Sequence, residues 1–207
     1  LSIAASCDVM IENFLPGAMA RMGLGYDDVR AINPDVIYCS ITGFGSGAGS
    51  ELPGYDLLVQ AMGGLMSITG PGAEHPSKVG VALVDVLTGL HAAVGILAAL
   101  HHRDATGEGQ YLEVSLMRTI LSSLVNQASG YVLAGQVPTN MGNAHPSIAP
   151  YEVYQASDRP IVLAVGNDGQ FTSLMRVLGE PSIAEDSLFA TNMARVENRE
   201  QLNEIIN

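Results

Sequence analysis

Apolar runs alternate with helical patterns along the first half of the chain. The segments Asp8–Phe14, Val36–Thr42 and Tyr111–Leu116 are short and rich in apolar or β-branched residues, which predicts strands. The segments between them, Tyr26–Asn33 and Asp56–Met66, predict helices. Alternating strands and helices favour an α/β domain with a mainly parallel sheet up to about residue 117.

One helical pattern is longer than the others. It runs from Asp85 to about His102, and its apolar residues recur at steps of three and four: Val86, Leu90, Ala93, Leu97 and Leu100. The run before it, Val79–Val84, predicts a short strand or extended segment.

The pattern changes after residue 117. Arg118–Leu133 predicts a second long helix, and the turn-rich stretch Gly135–Pro150 predicts a linker. Pro160–Val165 predicts a strand that is followed by a helix at Gln170–Leu178, and Arg199–Ile206 predicts another helix. We therefore expect a large α/β domain at residues 1–117, a helix and linker at 118–144, and an incomplete smaller α+β domain at 145–207. Both ends look cut, so we expect a fragment of a longer protein.

Charge and composition exclude several classes of function. A formal net charge of −12 repels nucleic acid, and the absence of a run of eighteen apolar residues argues against a membrane span. The two cysteines, Cys7 and Cys39, lack redox spacing, so free thiols in a cytoplasmic protein are favoured over a disulfide. An anionic ligand would need one of the few cations, such as Arg21.

Familiar motifs do not account for the chain. The glycines in Gly43–Gly49 lack the dinucleotide spacing, and neither a P-loop nor a G-x-S-x-G elbow is present. The five histidines lack metal-ligand spacing, so we predict no metal and no bound cofactor. His145 is the exception of interest, because it lies in a turn-rich stretch, Gly142–Ser147, that could close over a site.

Asp85 has the most apolar surroundings of any acid in the sequence, with V-A-L-V before it and V-L after it. One interpretation is that it caps the helix that begins there. The other is that a rigidly held, partly dry carboxylate acts as a nucleophile, with backbone N–H groups nearby to stabilise an oxyanion. The residues alone leave both interpretations open.

Several segments, in order, resemble the class III coenzyme A-transferases. They are I-E-N-F-L-P-G with R-M-G-L-G, N-P-D-V-I-Y-C-S-I-T-G-F-G, G-Y-D-L-L-V-Q-A-M-G-G-L-M, V-G-V-A-L-V-D-V-L-T-G, H-P-S-I-A-P-Y and A-V-G-N-D-G-Q-F. The resemblance implies a Rossmann-like large domain of an interlocked homodimer, with an acyl-CoA and a carboxylic acid as substrates. It also implies that Asp85 is the nucleophile and that Asn13, Phe14 and Arg21 line the CoA site.

The resemblance also indicates which branch of the family is nearest. The racemase branch has a histidine where this chain has Tyr55, which favours CoA transfer over racemisation. The glycine run of formyl-CoA transferase is absent, and Gly142, Asn143 and His145 stand in roughly that region as candidate substrate residues. The segment His145–Tyr151 resembles the succinyl-CoA-dependent dicarboxylate branch. The alternatives are a racemase of 2-substituted acyl-CoAs and an inactive CoA-binding fragment.

Overall fold

A computed structural model describes residues 2–72 and 74–207 and divides the chain into two compact units. The first unit comprises Leu1–Thr69 and Pro76–Thr139, and the second comprises Gly70–His75 and Asn140–Asn207. The segment predicted as a separate helix and linker, 118–144, therefore lies mostly within the first unit.

A parallel sheet of three strands organises the first unit, as the alternating pattern predicts. The strands are β1 (Val9–Glu12), β2 (Ile37–Thr42) and β3 (Gln110–Ser115), in the spatial order β1-β2-β3. The helices are α1 (Ala18–Arg21), α2 (Tyr26–Arg30), α3 (Asp56–Met62), α4 (Leu83–Thr106), α5 (Leu116–Ser123) and α6 (Val125–Ala134). Short 3-10 helices lie at Ala4–Ser6 and Met66–Ile68.

The central strand forms the middle of the core. On β2, the side chains of Ile37, Tyr38 and Cys39 are buried, because strands lie on both sides of it and helices cover its faces. Val84 and Ile120 belong to a buried cluster that packs α3, α4 and α5 together. The sheet and this cluster hold the carboxyl ends of all three strands at one edge.

The long helix α4 is apolar on more than one face. Its buried residues are Val84, Thr88, Ala92 and Ala99. Four residues of the apolar series identified in the sequence are instead exposed: Val86, Leu90, Ala93 and Leu97. The residues buried in the structure are mainly smaller and follow a different stripe.

Length and composition alone would let α4 cross a membrane, contrary to the expectation from the sequence. The helix has 24 residues, and an 18-residue window within it has a mean hydropathy of 2.0. This is weak evidence for a membrane span, because a helix packed on the sheet of a soluble protein passes the same test. In the structure α4 packs against β2, β3, α3 and α5.

Two predicted elements of the first unit need correction. No strand forms within Val79–Val84, which leaves the extended alternative for its first four residues, and its last two residues begin α4. The single helix predicted at Arg118–Leu133 is two helices, α5 and α6, which are separated at Leu124. The break is marked by Val125, whose φ of +46° is unusual for a β-branched residue.

The second unit contains an antiparallel pair of strands and several helices. The strands are β4 (Tyr151–Gln155) and β5 (Pro160–Ala164), and the first of them was not predicted. The helices are α7 (Asp168–Val177), a 3-10 helix at Pro181–Glu185, α8 (Asn192–Glu197) and α9 (Arg199–Ile206). Phe171, Met175, Phe189 and Leu202 form its buried core.

A buried cation ties the second unit together. Arg195 is fully buried, and its guanidinium donates to the carbonyl oxygens of Ala149 at 2.7 Å and Phe189 at 2.9 Å. A third nitrogen donates to Asp168 Oδ1 at 2.8 Å, and the group lies 4.4 Å from the ring centroid of Phe171. The charge is therefore paired and hydrogen-bonded, as burial requires.

Candidate active site

A cavity of about 610 Å³ lies where the three parallel strands of the first unit end. Ligands of open α/β sheets bind at this edge, because the loops that follow the strands meet there. The lining comes from the segment after β1, the end of β2 with the loop that follows it, the start of α4 and the first residue of α5.

The predicted CoA-site residues Asn13 and Phe14 line this cavity. They directly follow β1, and the turn they form is held by Glu12, whose Oε2 accepts a hydrogen bond from the backbone N–H of Phe14 at 2.9 Å. The ring of Phe14 is 54% exposed, so it presents an apolar surface that a ligand could cover.

Two glycines bring Tyr55 to the cavity. A Cβ atom built on Gly54 would lie 2.4 Å from the Cα of Gly43, so the two backbones touch at the base of the loop between them. Only glycine permits so close an approach. The contact places Tyr55 next to the end of β2, where its ring lines the cavity and is 68% exposed.

Asp85 also lines the cavity, but it does not cap α4 and it is not buried. Helix α4 begins at Leu83 with Ala82 as its N-cap, so Asp85 lies in the first turn and is not the cap. Despite its apolar neighbours in sequence, the residue is exposed, because the helix turns Val84 and Thr88 inward. Its carboxylate therefore faces the open space of the cavity.

The environment of Asp85 disfavours its ionised form. Partial desolvation raises the pKa of this carboxyl above its ordinary value, and the nearby negative charge of Asp56 raises it further. A carboxylate that is poorly stabilised by its surroundings gains from reacting with an electrophile, which suits a nucleophile more than a salt-bridge partner.

The expectation that backbone N–H groups near Asp85 stabilise an oxyanion is not met by the first turn of α4. Asp56 Oδ2 accepts from the N–H groups of Val84 at 2.8 Å and Asp85 at 3.3 Å. The N–H of Leu83 bonds to Val81 O at 2.8 Å, and that of Val86 to Ala82 O at 3.1 Å. All four N–H groups are therefore already used, and Asp56 is a part of the site that the motifs did not single out.

The structure does not bring Arg21 to the cavity. It is the last residue of α1, and it is exposed and outside the lining. Its contact with a CoA phosphate stays a prediction.

The other candidate substrate residues belong to the second unit. The N–H of His145 donates to Tyr151 O at 2.9 Å, and its ring stacks on that of Tyr151 with centroids 5.1 Å apart. His145 Nδ1 accepts from the backbone N–H of Ser147 at 3.1 Å. Gly142 has a φ of +61°, and Asn143 is exposed. Their roles toward a substrate stay predictions.

Comparison with known proteins identifies the family. The model of CoA-transferase family III matches residues 1–207. The chain is 45% identical over 205 residues to a succinate–glutarate CoA-transferase of Agrobacterium fabrum, which covers 99% of this chain and 51% of that protein. It is 40% identical to the succinyl-CoA:mesaconate CoA-transferase of Haloarcula hispanica, which covers 98% of this chain and 52% of that protein. The chain thus spans about half the length of the curated relatives it matches.

Solved structures give the same result. A CAIB/BAIF family protein from Brucella suis superposes with a TM-score of 0.83 at 46% identity, over 99% of this chain and 54% of that one. The protein Rv3272 from Mycobacterium tuberculosis superposes with a TM-score of 0.87 at 29% identity, over 99% of this chain and 55% of that one. The predicted fold class is therefore confirmed.

Proposed function

Because the chain belongs to CoA-transferase family III, we propose that the full-length protein transfers coenzyme A from an acyl-CoA thioester to a small dicarboxylic acid. The observation that carries the proposal is the position of Asp85, whose carboxylate lines the cavity at the strand ends together with Asn13, Phe14 and Tyr55. The choice of a dicarboxylate is supported by the relatives at 40–45% identity, which are named for glutarate and mesaconate.

The proposed reaction needs four acyl transfers and no external energy source. A carboxylate oxygen of Asp85 attacks the thioester carbonyl, which forms an acyl–aspartyl anhydride and releases the CoA thiolate. The thiolate attacks the Asp85 carbonyl, which forms an aspartyl-CoA thioester and releases the donor acid. The acceptor carboxylate then attacks this thioester, which forms a new anhydride and releases the thiolate. The thiolate attacks the acceptor carbonyl of this anhydride, which forms the product thioester and frees the Asp85 carboxylate. The anhydrides are intermediates of higher energy than the thioesters, but the full cycle exchanges one thioester for another of similar energy.

The exposed aromatic residues suit the two ends of such a substrate. Phe14 offers a flat apolar surface to the adenine or the pantetheine arm, and Tyr55 can pack over the anhydride and donate a hydrogen bond to an acyl oxygen. Tyr55 is a poor proton acceptor near neutral pH, because the ordinary pKa of tyrosine is about 10. It is therefore better suited to acyl transfer than to abstraction of an α-hydrogen.

A homodimer and a cytoplasmic location also belong to the proposal. The exposed apolar side chains of Val86, Leu90 and Leu97 on α4 support a further contact surface, because soluble proteins seldom leave such rows uncovered. Sedimentation of the full-length protein tests the assembly.

The test uses the full-length protein with an acyl-CoA donor and a series of small dicarboxylates. Hydroxylamine added during turnover should convert an aspartyl thioester into a hydroxamate, which mass spectrometry locates at Asp85. The Asp85→Asn variant should remain folded and lose transfer, whereas Asp104→Asn, which changes an exposed acid on the same helix, should keep it. Full activity in Asp85→Asn would disprove the assignment.

A second arm separates transfer from racemisation. In deuterated water, and without an acceptor acid, the protein should leave the α-hydrogen of the acyl-CoA in place. It should move CoA once the dicarboxylate is added. Rapid α-deuteration in the absence of acceptor would favour the racemase alternative instead.

A further inference from the structure

Asp56 connects the segment that carries Tyr55 with the helix that carries Asp85. It is the first residue of α3, directly after Tyr55, which is the N-cap of that helix. Its Oδ2 accepts from the N–H groups of Val84 and Asp85, the second and third residues of α4. Asp56 itself is absent from the cavity lining.

Helix α4 depends on this contact, because its own sequence supplies no cap. The N-cap residue Ala82 has no side chain that could accept a hydrogen bond. N–H groups in the first turn of a helix need acceptors from elsewhere, and a negative charge there is favoured by the helix dipole. Asp56 provides both from a different helix.

The other oxygen of Asp56 is held as well. Oδ1 accepts from Nε2 of Gln60 at 2.5 Å, and Oε1 of Gln60 accepts from the N–H of Val79 at 2.9 Å. Gln60 is fully buried. The result is a chain of hydrogen bonds that runs from Val79 through Gln60 and Asp56 to the start of α4.

We propose that Asp56 is a positioning residue, which sets the location of the Asp85 carboxylate against Tyr55 through these hydrogen bonds. This role rests on the proposed function, in which Asp85 is the nucleophile. A nucleophile must lie within a few tenths of an ångström of its attack position, and a displacement of about 1 Å can cost about 100-fold in rate. A carboxylate with both oxygens occupied is a rigid connection of that kind.

The direction of the hydrogen-bond chain makes a selective test possible. The chain ends at a backbone N–H donor on each side, that of Val79 and that of Val84. Residues 56 and 60 must therefore each offer an oxygen acceptor to one backbone N–H, and one of the two side chains must donate to the other. Asp56→Asn breaks this pattern, because an amide group then faces the amide of Gln60, and flipping either one leaves an N–H unpaired elsewhere. The double variant D56N/Q60E restores every hydrogen bond and moves the negative charge to position 60.

The experiment compares these variants in the full-length protein. In Asp56→Asn we expect kcat to fall at least about tenfold with the KM for acyl-CoA within about twofold, and the amides of Val84 and Asp85 to exchange hydrogen faster. In D56N/Q60E, kcat and the amide protection should return to within about threefold of wild type. The matched control is Asp28→Asn, which likewise removes the charge of a carboxylate that caps a helix away from the cavity, where Asp28 Oδ2 accepts from the Gly25 N–H at 3.0 Å. It should lower Tm slightly and leave kcat unchanged.

Two results would overturn the proposal. One is an Asp56→Asn variant that loses no more kcat than Asp28→Asn. The other is a double variant that regains amide protection but not kcat, since the charge at position 56 would then act by itself. Should Asp56→Asn not fold, Asp56→Glu makes the same test, because it keeps the charge and moves the carboxylate by one methylene; an unchanged kcat there counts against the proposal.

Failure of the underlying function looks different. If Asp85→Asn is fully active, the nucleophile is wrongly assigned and the catalytic role of Asp56 fails with it. If Asp85→Asn is inactive and Asp56→Asn is fully active, only the positioning role fails.

Discussion

The contact between Gly43 and Gly54 should be the most sensitive backbone position near the cavity. A Cβ atom on Gly54 would lie 2.4 Å from Gly43 Cα and 2.8 Å from Gly43 N, whereas ordinary contacts begin at 3.4 Å. Gly54→Ala therefore forces the two backbones apart by about 1.0 Å, the difference between 3.4 and 2.4 Å. Since the atoms in the way are backbone, no side-chain rotation can relieve the clash.

The consequences can be given magnitudes. Overpacking of this kind costs about 1–3 kcal/mol in the free energy of unfolding. The displacement also passes directly to Tyr55 and Asp56, which follow Gly54 in the chain. A shift of about 1 Å at catalytic groups lowers the rate by about 100-fold, so kcat should fall more than stability alone would explain.

The assay measures Tm, kcat and KM for Gly54→Ala beside a matched control. Gly47→Ala lies in the same loop and has open space around the added methyl group, with no positive φ to strain it. It should leave kcat unchanged and keep Tm or raise it slightly. Equal Tm and kcat values for the two variants would refute the close contact and the reasoning built on it.

Three further predictions concern charged residues. Arg195→Met should lower the free energy of unfolding by about 3–5 kcal/mol, because it leaves two buried carbonyl groups unpaired, whereas Arg159→Met, in an exposed pair, should cost less than about 1 kcal/mol by denaturant titration. Equal losses would contradict this. Arg21→Ala should raise the KM of several acyl-CoAs alike by about fivefold, corresponding to about 1 kcal/mol, and an effect on one acyl group alone would show that the residue reads the acyl part. Finally, because the pKa of Asp85 is raised in the folded state, the native protein binds more protons than the unfolded chain just above the ordinary value of about 3.9, and stability falls as pH rises through this window. Asp85→Asn should therefore raise Tm at pH 7 and lose that advantage below about pH 4, and a gap that does not change with pH would count against the shift.

The sequence predicts well those strands and helices that are determined by their own residues. The run Val36–Thr42 is β-branched and apolar, and it forms the buried strand β2. The helix at Arg199–Ile206 is predicted with its observed limits. The break between α5 and α6 could not be predicted, because nothing at Leu124 or Val125 in the sequence interrupts a helical pattern.

Only the site residues that lie in recognisable sequence motifs could be predicted. Asp85, Asn13, Phe14 and Tyr55 come together at one cavity, although the first two are 72 positions apart in the sequence. The start of α4 was misplaced because its acceptor, Asp56, comes from another helix, and no local pattern reveals a cap supplied from so far away. The exposure of Asp85 could not be inferred from its apolar neighbours in sequence, since a helix sends adjacent residues in different directions.

The position of the cavity beyond the strand ends also has a consequence for how such a protein can diverge. Most of the lining lies in connecting segments, whereas the buried residues of β2 lie below it, so substitutions that change what the cavity binds need not repack the sheet. The loop closed by Gly43 and Gly54 can vary between its ends, but the pair itself has little freedom to change. Selection for new substrates would then change the residues between Gly43 and Gly54, while the two glycines that close the loop stay the same.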